Sequence, residues 1–402
     1  LRHARLEEFL FVLYSSTIGK NTYFHGNKRV KHQLSQAKRL VIKIGSSLLV
    51  DDKTGAIRHE WLSHLMEDVV QCWKQGQSPV IVSSGAIALG RRHLKLKNHP
   101  LQLEEKQASA AVGQIRLAHA YQKALEEHGI TVAQILLTLD DSENRRRYLN
   151  AKNTLETLLN LRVIPVINEN DTVATAEIRF GDNDRLAARV AQMISADTLV
   201  LLSDIEGLYT ADPRTDSTAT LIPEVNALTP DILSMAGDSA TEYGSGGMIT
   251  KLAAAKIALT SGCRMVIAAG KHLNPLSRID KTEQCTWFIP DTTPTRARKN
   301  WIAQHLKPTG SMIIDAGAVN ALKQGKSLLS AGVIDIQGEF HKGDAICVFN
   351  ADKQEIAKGL VNYPAHEAKK IMGRKSAEFE SILGYQGCEE IMHRDDLVLY
   401  KN

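Results

Sequence analysis

Lys43 and Lys251 are the charged residues with the clearest chemical potential, because both lie where a chain approaches a bound anion. Lys43 sits inside Arg39–Ile44, RLVIKI, an apolar run that reads as a buried strand and leads into Gly45-Ser46-Ser47. A buried ammonium is costly unless it reaches a site at the end of its strand. The plainer alternative is a lysine that snorkels out at a sheet edge. Lys251 closes EYGSGGMITK, a Gly-rich loop that opens the helix KLAAAKIALTSG. Such a loop offers backbone donors and the positive end of a helix dipole to a phosphate, although alone it serves equally as a structural helix start. Between the lysines, Asn168–Asp184 reads NENDTVATAEIRFGDND and carries two polar clusters, Asn168-Glu169-Asn170-Asp171 and Asp182-Asn183-Asp184. Asp182 on its own would be a helix cap.

Two lysines, several Gly/Ser turns and a cluster of carboxylates and amides suit phosphoryl transfer, which is mostly positioning and neutralisation of charge. Lys43 and Lys251 supply the neutralisation, Asp184 orients both, and acidic residues help hold Mg²⁺ directly or through water. No catalytic histidine, and no serine or cysteine nucleophile beside a base, stands out. That pattern fits a carboxylate acceptor, already ionised near neutral pH because its pKa lies at about 4. It needs two anions brought together, not a proton removed. Neither GxxxxGK[ST] nor GxGxxG occurs in the chain.

The elements that must position these residues alternate strand and helix. A helix over about residues 60–75 leads to a strand at Pro79–Ser83 and a second small-residue turn, Ser83-Ser84-Gly85-Ala86. A long helix over residues 106–128 precedes the strand TVAQILL, and residues 140–161 read as mostly helix. RVIPVI reads as a buried strand before Asn168, and DRLAARVAQMISA as an amphipathic helix after Asn183. Thr198–Asp204 is a further strand ending in Ser203-Asp204, followed by the turn-rich GLYTADPR; CRMVIAAG is another strand. The fold class expected is α/β, an open and largely parallel sheet sandwiched by helices, with a ligand crevice at the strand ends.

Composition sets the outer bounds. The net charge is +4 over 402 residues. Eight Lys/Arg and two Glu fall in residues 1–39, so that segment carries +6 and the remainder −2. The near-neutral body does not ask for nucleic acid. Five scattered cysteines without CxxC spacing read as reduced cytoplasmic thiols. HEWLSH, His59–His64, is one residue too long for HExxH, so both histidines are expected at the surface. No apolar run reaches membrane-spanning length. Residues 1–37 lack a signal-peptide pattern, and no methionine precedes Met66. The expectation is an extension that is disordered or a start-site artefact, with translation from a non-Met codon at Val30 or Leu34.

With these residues in view, the chain resembles the amino acid kinase family. The motifs are VIKIGSSLL, VSSGAIALG, VIPVINENDTVATAEIRFGDND, LLSDIEGLYTADPR and GSGGMITKLAAAKIA. The resemblance implies a kinase domain over residues 38–300, with ATP and Mg²⁺ as cofactors. It implies phosphorylation of the side-chain carboxylate of L-glutamate to L-glutamyl 5-phosphate, the first step of proline biosynthesis. It also implies feedback inhibition by proline, a homotetramer in the cytoplasm, and glutamyl phosphate reductase as product acceptor. Carried over by residue, Lys43, Lys251 and Asp184 are catalytic, and Ser84, Asp171 and Asn183 contact glutamate. Ser203, Asp204, Ser245, Gly246, Gly247, Met248, Ile249, Thr250 and Lys251 contact nucleotide. Ser203 and Ser245 stand where threonine is usual and keep the hydroxyl.

Residues 274–307 read as a linker with Pro275, Pro290 and Pro294, in which CTWFI is a strand completing the kinase sheet. Residues 308–400 read as short strands and turns and resemble a PUA domain, a module that binds RNA in other proteins. Lys342, Lys358, Lys369, Lys370, Arg374 and Lys375 suggest a basic patch, but acidic residues interleave and RNA-stacking aromatics are missing. The residues therefore favour a structural or regulatory module over RNA binding. Two rival readings are a related kinase acting on aspartate or N-acetylglutamate, and an inactive kinase fold serving as a regulator. Asp171 argues against N-acetylglutamate, because a free ammonium wants a carboxylate partner. Intact Lys43, Asp184 and Lys251 argue against an inactive fold.

Overall fold

The computed structural model describes residues 32–51, 53–96, 99–173, 183–236, 247–281 and 284–400. Of the extension expected over residues 1–37, residues 1–31 with Val30 lie outside them; Leu34 and Ala37 are described and buried against the first core layer. Chain order begins β1 (Arg39–Ile44), α1 (Ser46–Leu49), α2 (His59–Lys74), β2 (Ser78–Ser83), α3 (Ala86–His93) and α4 (Leu103–Glu126). It continues β3 (Val132–Leu137), α5 (Leu139–Glu143), α6 (Arg145–Asn160), β4 (Ile164–Glu169), α7 (Asn183–Met193) and β5 (Thr198–Ser203). Then come β6 (Glu224–Val225), α8 (Pro230–Ser234), α9 (Met248–Thr260), β7 (Arg264–Ala269), α10 (Pro275–Lys281), β8 (Cys285–Phe288) and α11 (Pro294–His305).

These strands form one sheet in the order β3-β4-β2-β1-β5-β7-β8-β6. Its neighbours run parallel except where β8 turns back along β7. The sheet is central because its strands are apolar on both faces, and alternation sorts them. Leu40, Ile42 and Ile44 of β1 join α2 and α4 residues such as Leu65, Met66 and Leu117 in one buried layer. Val41 joins α7 and α9 residues such as Leu186, Val190, Leu252 and Ala255 in the other. Lys43 has the parity of Val41, so the pleat alone sends it toward α7 and α9. It is no edge lysine, because β1 is hydrogen-bonded to β2 on one side and β5 on the other.

Two expectations need correction here. The supposed linker contains α10 and α11 around β8; Pro275 and Pro294 open those helices, where a missing N–H costs nothing. Its strand CTWF does complete the sheet. The polar residues Asn168 and Glu169 belong to β4 itself and are buried.

The C-terminal module contains β9 (Gly310–Ile314), α12 (Ala316–Lys323), β10 (Leu328–Leu329), β11 (Val333–Gly338), β12 (Ala345–Phe349) and β13 (Glu355–Leu360). It ends with α13 (Ala365–Ile371), α14 (Phe379–Leu383), β14 (Glu390–Met392) and β15 (Leu397–Leu399). A five-stranded sheet β11-β9-β12-β13-β15 surrounds its own core of Met312, Ile346, Val348 and Phe379. The segment AGAVNAL, expected as strand, is helix α12, capped by the Asp315 side chain on Ala318 N at 2.7 Å. Lys358 is no surface cation: it is buried in β13 and donates to Ala303 O at 3.1 Å. The basic patch is smaller by that residue.

Candidate active site

The carboxyl ends of β1, β2, β4 and β5 meet at the middle of the sheet, where the connections diverge to either side of β1. Open α/β sheets bind ligands at this point. A cleft of about 1250 Å³ lies there, lined by Lys43, Ser84, Asp171, Asn183, Ser203, Asp204, Gly247, Met248 and Lys251. Ser245 and Gly246 lie outside the described residues. Ile249 is half exposed and not part of the lining. Thr250 and Asp184 also stand back from the wall, for a reason their contacts supply.

Asp184, in the first turn of α7, is fully buried. Its Oδ1 pairs with Lys43 Nζ at 2.7 Å, and its Oδ2 accepts from Lys251 Nζ at 3.4 Å and from Thr250 Oγ1 at 2.9 Å. One carboxylate thus sits under two ammonium groups, both of which reach the cleft wall. Burial pushes the Asp184 carboxyl up, but Lys43, Lys251 and the hydrogen bonds from Lys43 and Thr250 more than offset it. The carboxyl is held below its ordinary range and stays ionised. Burial pulls the Lys251 ammonium down, Asp184 opposes this, and Lys43 adds to the lowering. Two ammonium groups held on this carboxylate both reach the cleft, where an incoming phosphate would meet them.

A second group of polar residues forms around Asn183. Its Nδ2 donates to Ser83 O at 3.0 Å and to Ser84 Oγ at 2.6 Å, with Asn168 Oδ1 at 3.4 Å. Buried Asn183 Oδ1 and Asn168 Nδ2 have no partner among the described residues. Unpaired buried polar atoms at a cleft wall mark places where a ligand completes the bonding. Asp171 stands beside them, and burial pushes its carboxyl up to about 6. No cation among the described residues compensates it, so a ligand ammonium would restore its charge.

The turn carrying Ser84 is fixed from below. Gly85 adopts φ +106°, a left-handed conformation suited to glycine, and opens α3. Helices α3 and α4 cross at backbone contact: a Cβ on Gly113 would come within 1.7 Å of Ala86 O, and one on Gly90 within 1.7 Å of Ser109 O. Ser83 Oγ and Tyr121 OH of α4 share a buried hydrogen bond of 2.8 Å.

Of three further participants, the sequence marks two in another setting and one not at all. Asn168 reads as part of a loop cluster because an amide inside a buried strand is unusual. Lys271, just past β7, lines the cleft beside Ser203 and Asp204, and no motif distinguishes it from a surface lysine. Thr250 was grouped with the nucleotide loop, yet its hydroxyl fastens Asp184.

The matching families agree with this architecture. Residues 38–269 match the amino acid kinase family, and residues 310–383 match the PUA domain. A glutamate 5-kinase of Paramagnetospirillum magneticum is 61% identical over 91% of this chain and 99% of its own. A glutamate 5-kinase of Rhodospirillum rubrum is 57% identical over 89% and 96%. Among solved structures, a carbamate kinase of Giardia lamblia bound to AMP-PNP covers 64% of this chain and 100% of its own, at 15% identity and a TM-score of 0.45.

Proposed function

The chain belongs to the amino acid kinase family and, within it, to the glutamate 5-kinases, and on that premise we propose how its residues transfer phosphate from ATP to the side-chain carboxylate of L-glutamate. The observation that carries the reading is Asp184 buried beneath Lys43 and Lys251 at the floor of a cleft lined by hydroxyls, amides and a second carboxylate. One carboxylate oxygen of glutamate attacks the γ-phosphorus, the bond from that phosphorus to the β,γ-bridging oxygen breaks, and ADP leaves. Glutamyl 5-phosphate forms without proton removal, because the attacking carboxylate is already ionised.

Lys43 and Lys251 offset the repulsion between the two anions and the charge that spreads over the transferring oxygens. Asp184 and Thr250 keep both ammonium groups in place, so little reorganisation accompanies transfer. Asp171 takes the α-ammonium of glutamate, and Ser84, Asn168 and Asn183 complete its polar contacts. Gly247 and the start of α9 receive phosphate oxygens, with Ser203, Asp204 and Lys271 on the nucleotide side. Mg²⁺ commonly needs one or two protein carboxylates besides phosphate oxygens; Asp204, at the cleft wall, is the carboxylate suited to it. The ion would neutralise phosphate charge.

Glutamyl hydroxamate formation with ATP and Mg²⁺ tests the assignment. Glutamate is expected to turn over, and aspartate and N-acetylglutamate at least about a hundredfold less well. Equal turnover of glutamate and N-acetylglutamate would remove the role given to Asp171. The same reading carries feedback inhibition by proline, a cytoplasmic homotetramer, and hand-over of the labile acyl phosphate to glutamyl phosphate reductase. These rest on kinship, and inhibition by proline in the same assay is their first check.

A further inference from the structure

Helix α3 has two working sides. Ala86, Ala88 and Arg91 border the catalytic cleft, whereas Leu89, Arg92 and His93 border a second cavity of about 950 Å³. The second wall of that cavity is α4, which presents Arg116, His119 and Lys123. These positions fall on one face of a helix, three and four residues apart. Lys95, just past α3, adds another cation, and Glu127 is the one carboxylate among the lining residues.

Arg92 and Lys95 have an ordinary structural use, since cations near a helix C-terminus favour its dipole. Lys123, in the last turn of α4, shares that use, but Arg116 lies in mid-helix, where the dipole offers it none, and both face the same space. None of Arg92, Lys95, Arg116 and Lys123 has an ion pair or side-chain hydrogen bond among the described residues. Like charges gathered on a concave surface repel one another unless an anion is shared between them. The floor is apolar, with buried Leu62 and Leu89, so the charges form a rim about a pocket instead of a flat, solvated face. Its volume suits a small organic molecule.

We infer that this cavity between α2, α3 and α4 is a second ligand site, separate from the catalytic cleft, that takes a small multiply charged anion held by Arg92, Arg116 and Lys123. Phosphate esters and polycarboxylates share the required chemistry. Both would bridge the two helices, with His119 available as a further N–H donor.

The test is isothermal titration of the full chain with inorganic pyrophosphate and, separately, citrate. The catalytic cleft is first saturated with glutamate and a non-hydrolysable ATP analogue. One residual anion site per chain is expected, and it is expected to weaken by about tenfold or more in the double variant Arg116→Gln/Lys123→Gln. Both side chains are exposed and unpaired, so the variant should keep the parent's melting temperature and its activity without added anion. Binding of pyrophosphate but not citrate identifies a phosphate ester, and the reverse a polycarboxylate. The inference is overturned if no residual site remains, or if the double variant binds as the parent does. It is equally overturned if the substitutions change only the oligomeric mass in light scattering, which would make this face a subunit contact.

Discussion

Two triads of the same charge composition lie among the described residues, and one of them lines the catalytic cleft. At the cleft, Asp184 lies between Lys43 and Lys251. At the seam where the C-terminal module meets α6 and α11, Asp396 lies between Arg298, in direct contact, and Lys152 at 3.5 Å. Both aspartates are drawn upward by burial and pulled below the ordinary carboxylate range by their two cations. Burial lowers Lys152 as it does Lys251. The direction of perturbed ionisation alone would not separate the two. Setting separates them. Lys43 and Lys251 line the catalytic cleft, whereas the seam triad, with Asp396 partly exposed, lies beside Tyr148 in the packing between α6, α11 and the C-terminal module. The seam is further held by Arg145, which donates to Gly343 O and pairs with Asp344 at 3.7 Å. Two cations on one carboxylate at a cleft wall can meet a substrate anion, and the same grouping within a seam joins two parts.

Exchanging one lysine from each triad gives the largest contrast. Lys251→Ala is expected to lower kcat about a hundred- to a thousandfold with a much smaller change in glutamate KM. Lys152→Ala should leave kcat within about threefold, since it touches no reacting group. Similar kcat losses in steady-state assays of the two variants would break the distinction.

A third carboxylate sharpens the contrast with an opposite shift. No cation among the described residues offsets the burial that pushes the Asp171 carboxyl up to about 6, so it is protonated below that pH while Asp184 stays ionised. A raised carboxyl favours the folded empty protein as pH falls through about 6, but it loses the substrate ammonium. The kcat/KM for glutamate should therefore drop about tenfold per pH unit below 6, because only the ionised form binds. Asp171→Asn should remove that acid limb along with most of the affinity. A pH profile flat down to pH 5 in the parent would contradict it.

The smallest effect belongs to the seam. Asp396→Asn leaves two cations facing each other with partial solvent access and should cost about 1–2 kcal/mol in urea unfolding, with kcat retained. Because the Asp396 carboxyl is held low, its contribution is present above the unfolded carboxylate range and fades as pH falls through the lowered folded value. Unchanged stability at neutral pH would show that the seam salt bridges hold nothing.

Much of this was legible in sequence where the signal is local. Apolar runs such as RLVIKI and TLVLLS could hardly be anything but buried strands, and the Gly-rich loop before Met248 announced a helix start. Signals failed where local preference and tertiary setting diverge. AGAVNAL is β-compatible by composition but helical because Asp315 caps it. Residues 274–307 look like a linker because prolines that open helices resemble prolines that break them. Lys358 counted as a surface cation because nothing local reveals that a carbonyl of α11 waits for its ammonium.

By itself the sequence determined the strand order in time, the residue types at each strand end, and the parity that puts Lys43 on the same side of the sheet as Val41. It could not determine who meets whom. Asp184 and Lys251 are separated by 67 residues and Lys43 by a further stretch of chain, so their meeting depends on β5 pairing with β1 and on α7 lying against α9. The tertiary structure also decided that Thr250 fastens Asp184, and that α3 and α4 approach so closely that Gly113 tolerates no side chain. The reason is physical: periodicity and propensity are properties of neighbours along the chain. Charge pairing, clearance and access depend on distances in space that only the packed sheet and helices set.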